Sequence, residues 1–149
     1  RHRHIQEVII QNFQRKPDIA MAHHPEPDLE DMLRTIAVAR IILDPEIRVQ
    51  APPNLHRRHI AYLRAGINDW GGISPVTIDF INPQHEWPEI LKLKESCSSA
   101  GFKLLERLTV YPRFINKRSE YLDPGLRERI LLMAGHDGFA NEQVLEAIQ

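Results

Sequence analysis

Three short β-prone runs, each passing through a polar or proline-bearing loop into helically spaced apolar positions, restrict this chain to an alternating α/β architecture. The first, Ile5 to Phe13, places Val8, Ile9 and Ile10 in succession, as in a strand covered on both faces. A loop with Pro17, Pro25 and Pro27 follows, and then Leu29, Met32, Leu33, Ile36, Ala37 and Leu43 recur at amphipathic helical spacing behind an Asp28 cap. The second run, Ile47 to Ala51, stops at Pro52-Pro53, where Asn54 is positioned to cap a helix reaching Ala65, with Gly66 as its stop. The third and weakest, Ile67 to Ile73, leads through Pro75 and Pro83 to a helix beginning near Trp87-Pro88. That helix carries Ile90, Leu93, Cys97 and Ala100 and stops at Gly101. Such repetition predicts a parallel sheet with right-handed crossovers.

The remaining sequence breaks this rhythm. Phe102 to Tyr111 is apolar and β-prone, and after it come Phe114-Ile115, a helix opened by Asp123-Pro124, and a last short helix from Asn141 with Val144, Leu145 and Ile148. The 149 residues suffice for one core, whereas a closed eight-unit barrel needs roughly 200 or more. A net charge of −1 gives no basic footprint for nucleic acid, and no apolar run reaches membrane-spanning length. The single Cys97 forms no internal disulfide framework and suits a reducing, cytoplasmic setting. The chain opens at Arg1 without an initiator Met or signal pattern, so it is expected to be a piece of a longer protein.

Polar side chains gather at the ends of the three runs. Gln11-Asn12-Phe13 either offers amides to a ligand or satisfies neighbouring loop backbone. Gln50 needs a partner inside a buried strand, while Asn54 is accounted for as a helix cap. Asn68, Asp69 and Trp70 crowd polar and amphipathic side chains before the paired Gly71-Gly72, which permits close backbone approach to a ligand, and this favours a site over the alternative of a turn stabilised by Asp69. The histidine pairs His2/His4, His23/His24 and His56/His59 have no acidic helper at metalloprotease spacing and are read as solvated surface residues. Ser74 lacks a nucleophile elbow, and Cys97 occupies the inward face of its helix, so no catalytic nucleophile is nominated.

HIQEVIIQNFQRKP (His4 to Pro17), the segment ending in AHHPEP at Pro27, VQAPPNL (Val49 to Leu55), AGINDWGGISPVT (Ala65 to Thr77) and INPQHEWP (Ile81 to Pro88) occur in that order. Together they resemble the C-terminal half of the deazaflavin-forming radical S-adenosylmethionine enzymes. The resemblance covers most of the chain and fades after about Glu120. It implies that residues 1–101 are the C-terminal half of a TIM-like radical enzyme barrel, about three strand–helix units, with residues 102–149 a mostly helical extension of the same domain. Two features, the tryptophan of DWGG and the double proline, resemble the ring-closing synthase more than its hydroxybenzyl-transferring companion.

The implied activity is that of a radical lyase in deazaflavin coenzyme (factor F-420) biosynthesis. A reduced 4Fe-4S cluster cleaves S-adenosylmethionine, hydrogen is removed from a hydroxybenzyl–ribitylaminouracil adduct, and cyclisation with loss of ammonia gives the chromophore. The implied roles are cofactor binding for Gln11, Asn12 and Phe13, and substrate binding for Gln50, Asn54, Asn68, Asp69 and Trp70. Besides the small-molecule substrate, the implied partner is the companion enzyme or a domain fused to it. The family's three-cysteine motif is absent, so cluster ligands are expected outside this chain, and Asp18 and Ile19 stand where glycine and threonine are expected. Taken alone, the chain is expected to bind no cluster, to be inactive, and to be poorly stable or self-associating through open sheet edges. The alternatives are a sibling radical enzyme, a hydrolase or aldolase on an ordinary barrel, and a non-catalytic α/β binding module.

Overall fold

The computed structural model describes residues 5–74, 76–141 and 143–144, so His2, His4, Pro75, Leu145 and Ile148 lie outside the described residues. The chain divides into two compact units, Arg1–Lys103 and Leu104–Gln149.

In the first unit, strand β1 (Glu7–Ile9) pairs in parallel with β2 (Arg48–Gln50), in the register Glu7 to Arg48, Val8 to Val49 and Ile9 to Gln50. The crossover is α1 (Leu29–Ile42). Asp28 caps it as the sequence predicts, its carboxylate accepting from the Asp31 N–H at 2.8 Å. Met32 and Ile36 bury the inward stripe, and the Arg40 guanidinium closes the far end by donating to the carbonyls of Ile47 and Asp44, each at 2.9 Å. Alternation along a strand sends neighbours to opposite faces. Val49 is fully buried in the core with Ile36 and Tyr62, whereas Ile9 at the end of β1 and Ile5 before it are exposed.

Three strand–helix units were expected, and the described residues of the first unit form two strands and one isolated bridge. The third segment meets β2 only at the parallel bridge of Gln50 and Asp69. The reason is local: the Asn68 side chain takes the place of a strand carbonyl, its Oδ1 accepting from Val49 N–H at 3.0 Å. Gly71, at φ 78°, then turns the chain out of extended conformation. The helix expected from Asn54 is also corrected. Turns occupy the residues after His56, and α2 is only Ala61–Ala65. Gly66 ends it at φ 120°, where an added Cβ would lie 2.8 Å from Cβ and Cγ of Arg40, so α1 and α2 approach through a position only glycine fills. The third helix, α3 (Ile90–Ser99), buries Leu93 and Cys97 as expected.

Tyr62 is fully buried, and its hydroxyl has no hydrogen-bond partner among the described residues. Burial pushes its pKa up to about 12. An unpaired buried hydroxyl carries a desolvation cost of about 1–3 kcal/mol, and removing it leaves the ring's packing intact. Tyr62→Phe should therefore be neutral or stabilising by up to about 1 kcal/mol in urea unfolding, unlike the usual cost of altering a core residue.

The run Phe102 to Tyr111, which ends the first unit and opens the second, forms no strand. Its residue Glu106 supplies a carbonyl to Ala140 N–H at 3.1 Å, and the Arg107 guanidinium lies 4.1 Å over the Tyr111 ring. Helix α4 (Pro112–Asn116) starts on proline, whose missing N–H has no role in a first turn, and buries Phe114 and Ile115. Phe114 meets Tyr121, in the 3-10 turn Ser119–Tyr121, edge to face at 5.6 Å. Helix α5 is Arg127–Met133. Asp123 does not cap it but closes the preceding turn by accepting from Gly125 N–H at 2.8 Å. An antiparallel bridge between Ala134 and Ala140 follows.

Candidate functional site

Parallel pairing carries the chain ends of β1, β2 and the bridged third segment to one edge of the first unit, and the polar residues singled out in the sequence lie on those ends. Gln50, nearly fully buried, donates its amide to the Glu7 carboxylate, a bond between side chains on the same strand face. The backbone at Gly71 lies against this amide, since a Cβ there would stand 2.7 Å from Gln50 Oε1. Asp69 accepts from Gly71 N–H at 2.6 Å, which fixes the glycine turn. Glu7, Gln50, Asp69 and Gly71 thus form one contiguous polar group. Glu7 was not among the predicted residues, and the signal for it was its place two residues before Ile9 on a strand whose other charged neighbour is Arg48.

Asn12 is 5% exposed. Its Nδ2 reaches the Leu55 carbonyl at 3.4 Å, joining the loop after β1 to the loop after β2, while its Oδ1 has no partner among the described residues. Gln11 is exposed and Phe13 half-buried. Asn54 donates from Nδ2 to Asp79 at 3.0 Å and to the His85 carbonyl at 3.2 Å, and its buried Oδ1 likewise has no partner among the described residues. Asp79 also accepts from the N–H groups of Ile81 and Asn82 at 2.9 and 3.1 Å and from the Asn82 side chain at 3.2 Å. Burial works to raise the Asp79 carboxyl, but these donors from Asn82, Asn54 and Ile81 outweigh it, and the pKa lies below the ordinary 3.8. Lys16 donates to the Ile81 carbonyl, so all three end loops are tied together. Sequence reasoning missed Asp79 and Asn82; the Asp-Phe-Ile-Asn spacing is that of a side chain capping its own turn.

Two predicted residues make structural contacts. Asn68 completes the edge of β2, as described above. Trp70, 6% exposed, stacks its ring against the His59 edge at 5.5 Å and 88° and hydrogen-bonds Cys97, whose thiol burial pushes upward in pKa. His59 was read as a solvated residue and is instead half-buried, with Nδ1 3.1 Å from the His56 carbonyl; His23 and His24 are exposed. Burial lowers the His59 pKa from 6.5. The folded state therefore takes up its proton less readily than the unfolded chain, so the stability His59 contributes is present above pH 6.5 and is lost as pH falls through the folded value. Thermal unfolding should show a midpoint that drops on acidification below that point, and His59→Gln should flatten this dependence. Among the described residues no three His, Cys, Asp or Glu side chains gather as metal ligands, and no helix is long and apolar enough to cross a membrane.

No protein-family profile and no solved structure matches the chain. Curated proteins do. The chain is 49% identical over 142 residues to the 7,8-didemethyl-8-hydroxy-5-deazariboflavin synthase of Methanopyrus kandleri, an alignment covering 94% of this chain and 41% of that protein. With the synthase of the same name from Methanothermobacter thermautotrophicus it shares 49% identity, over 87% of this chain and 39% of the relative. The FO synthase of Streptomyces avermitilis is 48% identical over 87% of this chain and 15% of its own length. The chain spans well under half of each of these relatives. Over most of its length, then, it is homologous to a part of the FO synthases.

Proposed function

We propose that the chain is part of a synthase that forms the deazaflavin chromophore of factor F-420 from a hydroxybenzyl–ribitylaminouracil adduct, and that its first unit is the closing portion of a radical S-adenosylmethionine barrel. The observation that carries this reading is identity of 43–49% to proteins bearing the synthase name, across the segments that hold the clustered loop ends. Parallel β1 and β2 with a helical crossover are the arrangement a barrel repeats, and strand-end loops are where such barrels build their sites. The proposed partner of the whole protein is the companion hydroxybenzyl-transferring enzyme or a fused equivalent.

The 4Fe-4S cluster does not fit the residues present. Cys97 is the one thiol of the chain, and it is buried on α3, so the cluster's ligands belong to other residues of the whole protein. S-adenosylmethionine has a better match, because the partnerless Asn12 Oδ1 suits an amino donor of an adenine ring. When bound, that cofactor supplies the hydrogen-abstracting chemistry. The residues of this chain bind and orient: Asn12, with Gln11 and Phe13 beside it, toward the adenosyl group, and Gln50, Asn54 and Asp69 toward the polar pyrimidinedione and ribityl parts. Asn68 and Trp70 support that surface from the strand edge and from the core.

Deazaflavin formation by the full-length protein, followed by product fluorescence, tests the proposal, and absence of product from the reconstituted protein would refute it. Asp69→Asn separates chemistry from folding. The substituted side chain keeps an oxygen for Gly71 N–H but loses its charge, so kcat/KM should fall by about 1–3 kcal/mol of binding energy while the melting temperature stays the same. Unchanged turnover would return Asp69 to a turn-forming role.

A further inference from the structure

The amide of Asn54 has a fixed orientation. Both acceptors of its Nδ2, the Asp79 carboxylate at 3.0 Å and the His85 carbonyl at 3.2 Å, lack a proton to give, so a turned-over amide would set its oxygen against two others. The Asp79 carboxylate is itself held by three further donors from Ile81 and Asn82, and Asn82 is 3% exposed, which keeps the acceptor in place. Asn54 Oδ1 is consequently an acceptor only, enclosed and without a donor among the described residues. Binding at this oxygen requires the loops that enclose it to part locally.

We propose that Asp79 is a positioning residue that presents Asn54 Oδ1 to a ring N–H of the pyrimidinedione substrate. The proposal rests on the function proposed above. It follows from the chemistry of the pair: a carboxylate can only accept, so the neighbouring amide must spend its N–H groups on it and turn its oxygen to the ligand. An asparagine in place of Asp79 could donate as well as accept, and would leave the His85 carbonyl alone to hold Asn54 in this orientation.

The test uses the full-length protein with the natural adduct and with an analogue methylated at the ring nitrogen. The unsubstituted enzyme should lose at least tenfold in kcat/KM on methylation, mostly through KM. Asn54→Ala and Asp79→Asn should each lose a similar factor with the natural adduct and no longer distinguish the two compounds. A purely structural role would slow both compounds equally and leave their ratio intact, and that result in a folded Asn54→Ala or Asp79→Asn protein overturns the proposal. Equal use of both compounds by the unsubstituted enzyme overturns it too. If Asp79→Asn does not fold, the ratio in Asn54→Ala decides. An unsubstituted enzyme that makes no deazaflavin from either compound refutes instead the function on which the proposal rests.

Discussion

Trp70→Ala should cost about 3–5 kcal/mol of stability, the range for truncating a large buried aromatic, and should abolish activity through unfolding. The indole is 6% exposed, meets His59 edge to face, and carries a hydrogen bond to Cys97, so its removal leaves a cavity and strips partners from two neighbours. Chemical denaturation of the folded protein with and without the substitution gives the measurement. Trp70→Phe, which refills most of the volume, should recover over half of the loss, though the Cys97 contact stays missing. A protein as stable as the original but inactive would instead place the indole against substrate.

Gly71→Ala should have the largest effect on activity for the smallest change in chain. At φ 78° an alanine costs about 1 kcal/mol in backbone strain, and its Cβ would stand 2.7 Å from Gln50 Oε1. The strain alone is modest. The greater consequence is that the Gln50 amide must leave its place beside Glu7, and a displacement of about 1 Å at a positioned group can cost on the order of 100-fold in rate. Steady-state kinetics on the full-length protein should show that loss with the melting temperature lowered by only a few degrees. Adding Gln50→Ala to Gly71→Ala should cost less stability than the sum of the two single substitutions and leave activity low, since the clash is gone while the backbone strain remains and the amide is lost. Independent, additive effects of the two substitutions would mean that they do not share a site.

What the sequence could show depended on how local each determinant was. Asp28 caps α1 within three residues, and Val8 against Val49 follows from two apolar runs, so the crossover and its parallel pair were legible. The resemblance of five ordered segments to the deazaflavin-forming enzymes agreed with the named relatives. Asn54 was misread because its partner, Asp79, lies 25 residues away, and nothing local distinguishes an amide capping a helix from one bound to a distant carboxylate. Trp70 drew attention as a ring in a polar, glycine-rich setting. Its burial is decided by His59 and Cys97, which reach it from outside that motif. Strand ends were overestimated for a similar reason: apolar β-prone residues continue past Ile9 and Gln50, but pairing stops where loop contacts take over.

The spacing of the sheet contacts also sets an order of assembly. Gln50 meets Glu7 across 43 residues, whereas Val49 meets Asn68 across only 19. Closing the longer loop costs merely about 0.7 kcal/mol more if both are flexible, too little to impose a sequence of events. Helix α1 lies inside the longer loop, however, and its 14 residues need tertiary packing to persist in water. The pairing of β2 with the Asn68 segment can therefore nucleate from nearby residues, while β1 must await a formed helix before it finds its register. During synthesis β1 would emerge before β2 yet dock after β2 has met the Asn68 segment, and in that interval Val8 lacks its partner Val49, a window in which a chaperone or a neighbouring strand can compete for it.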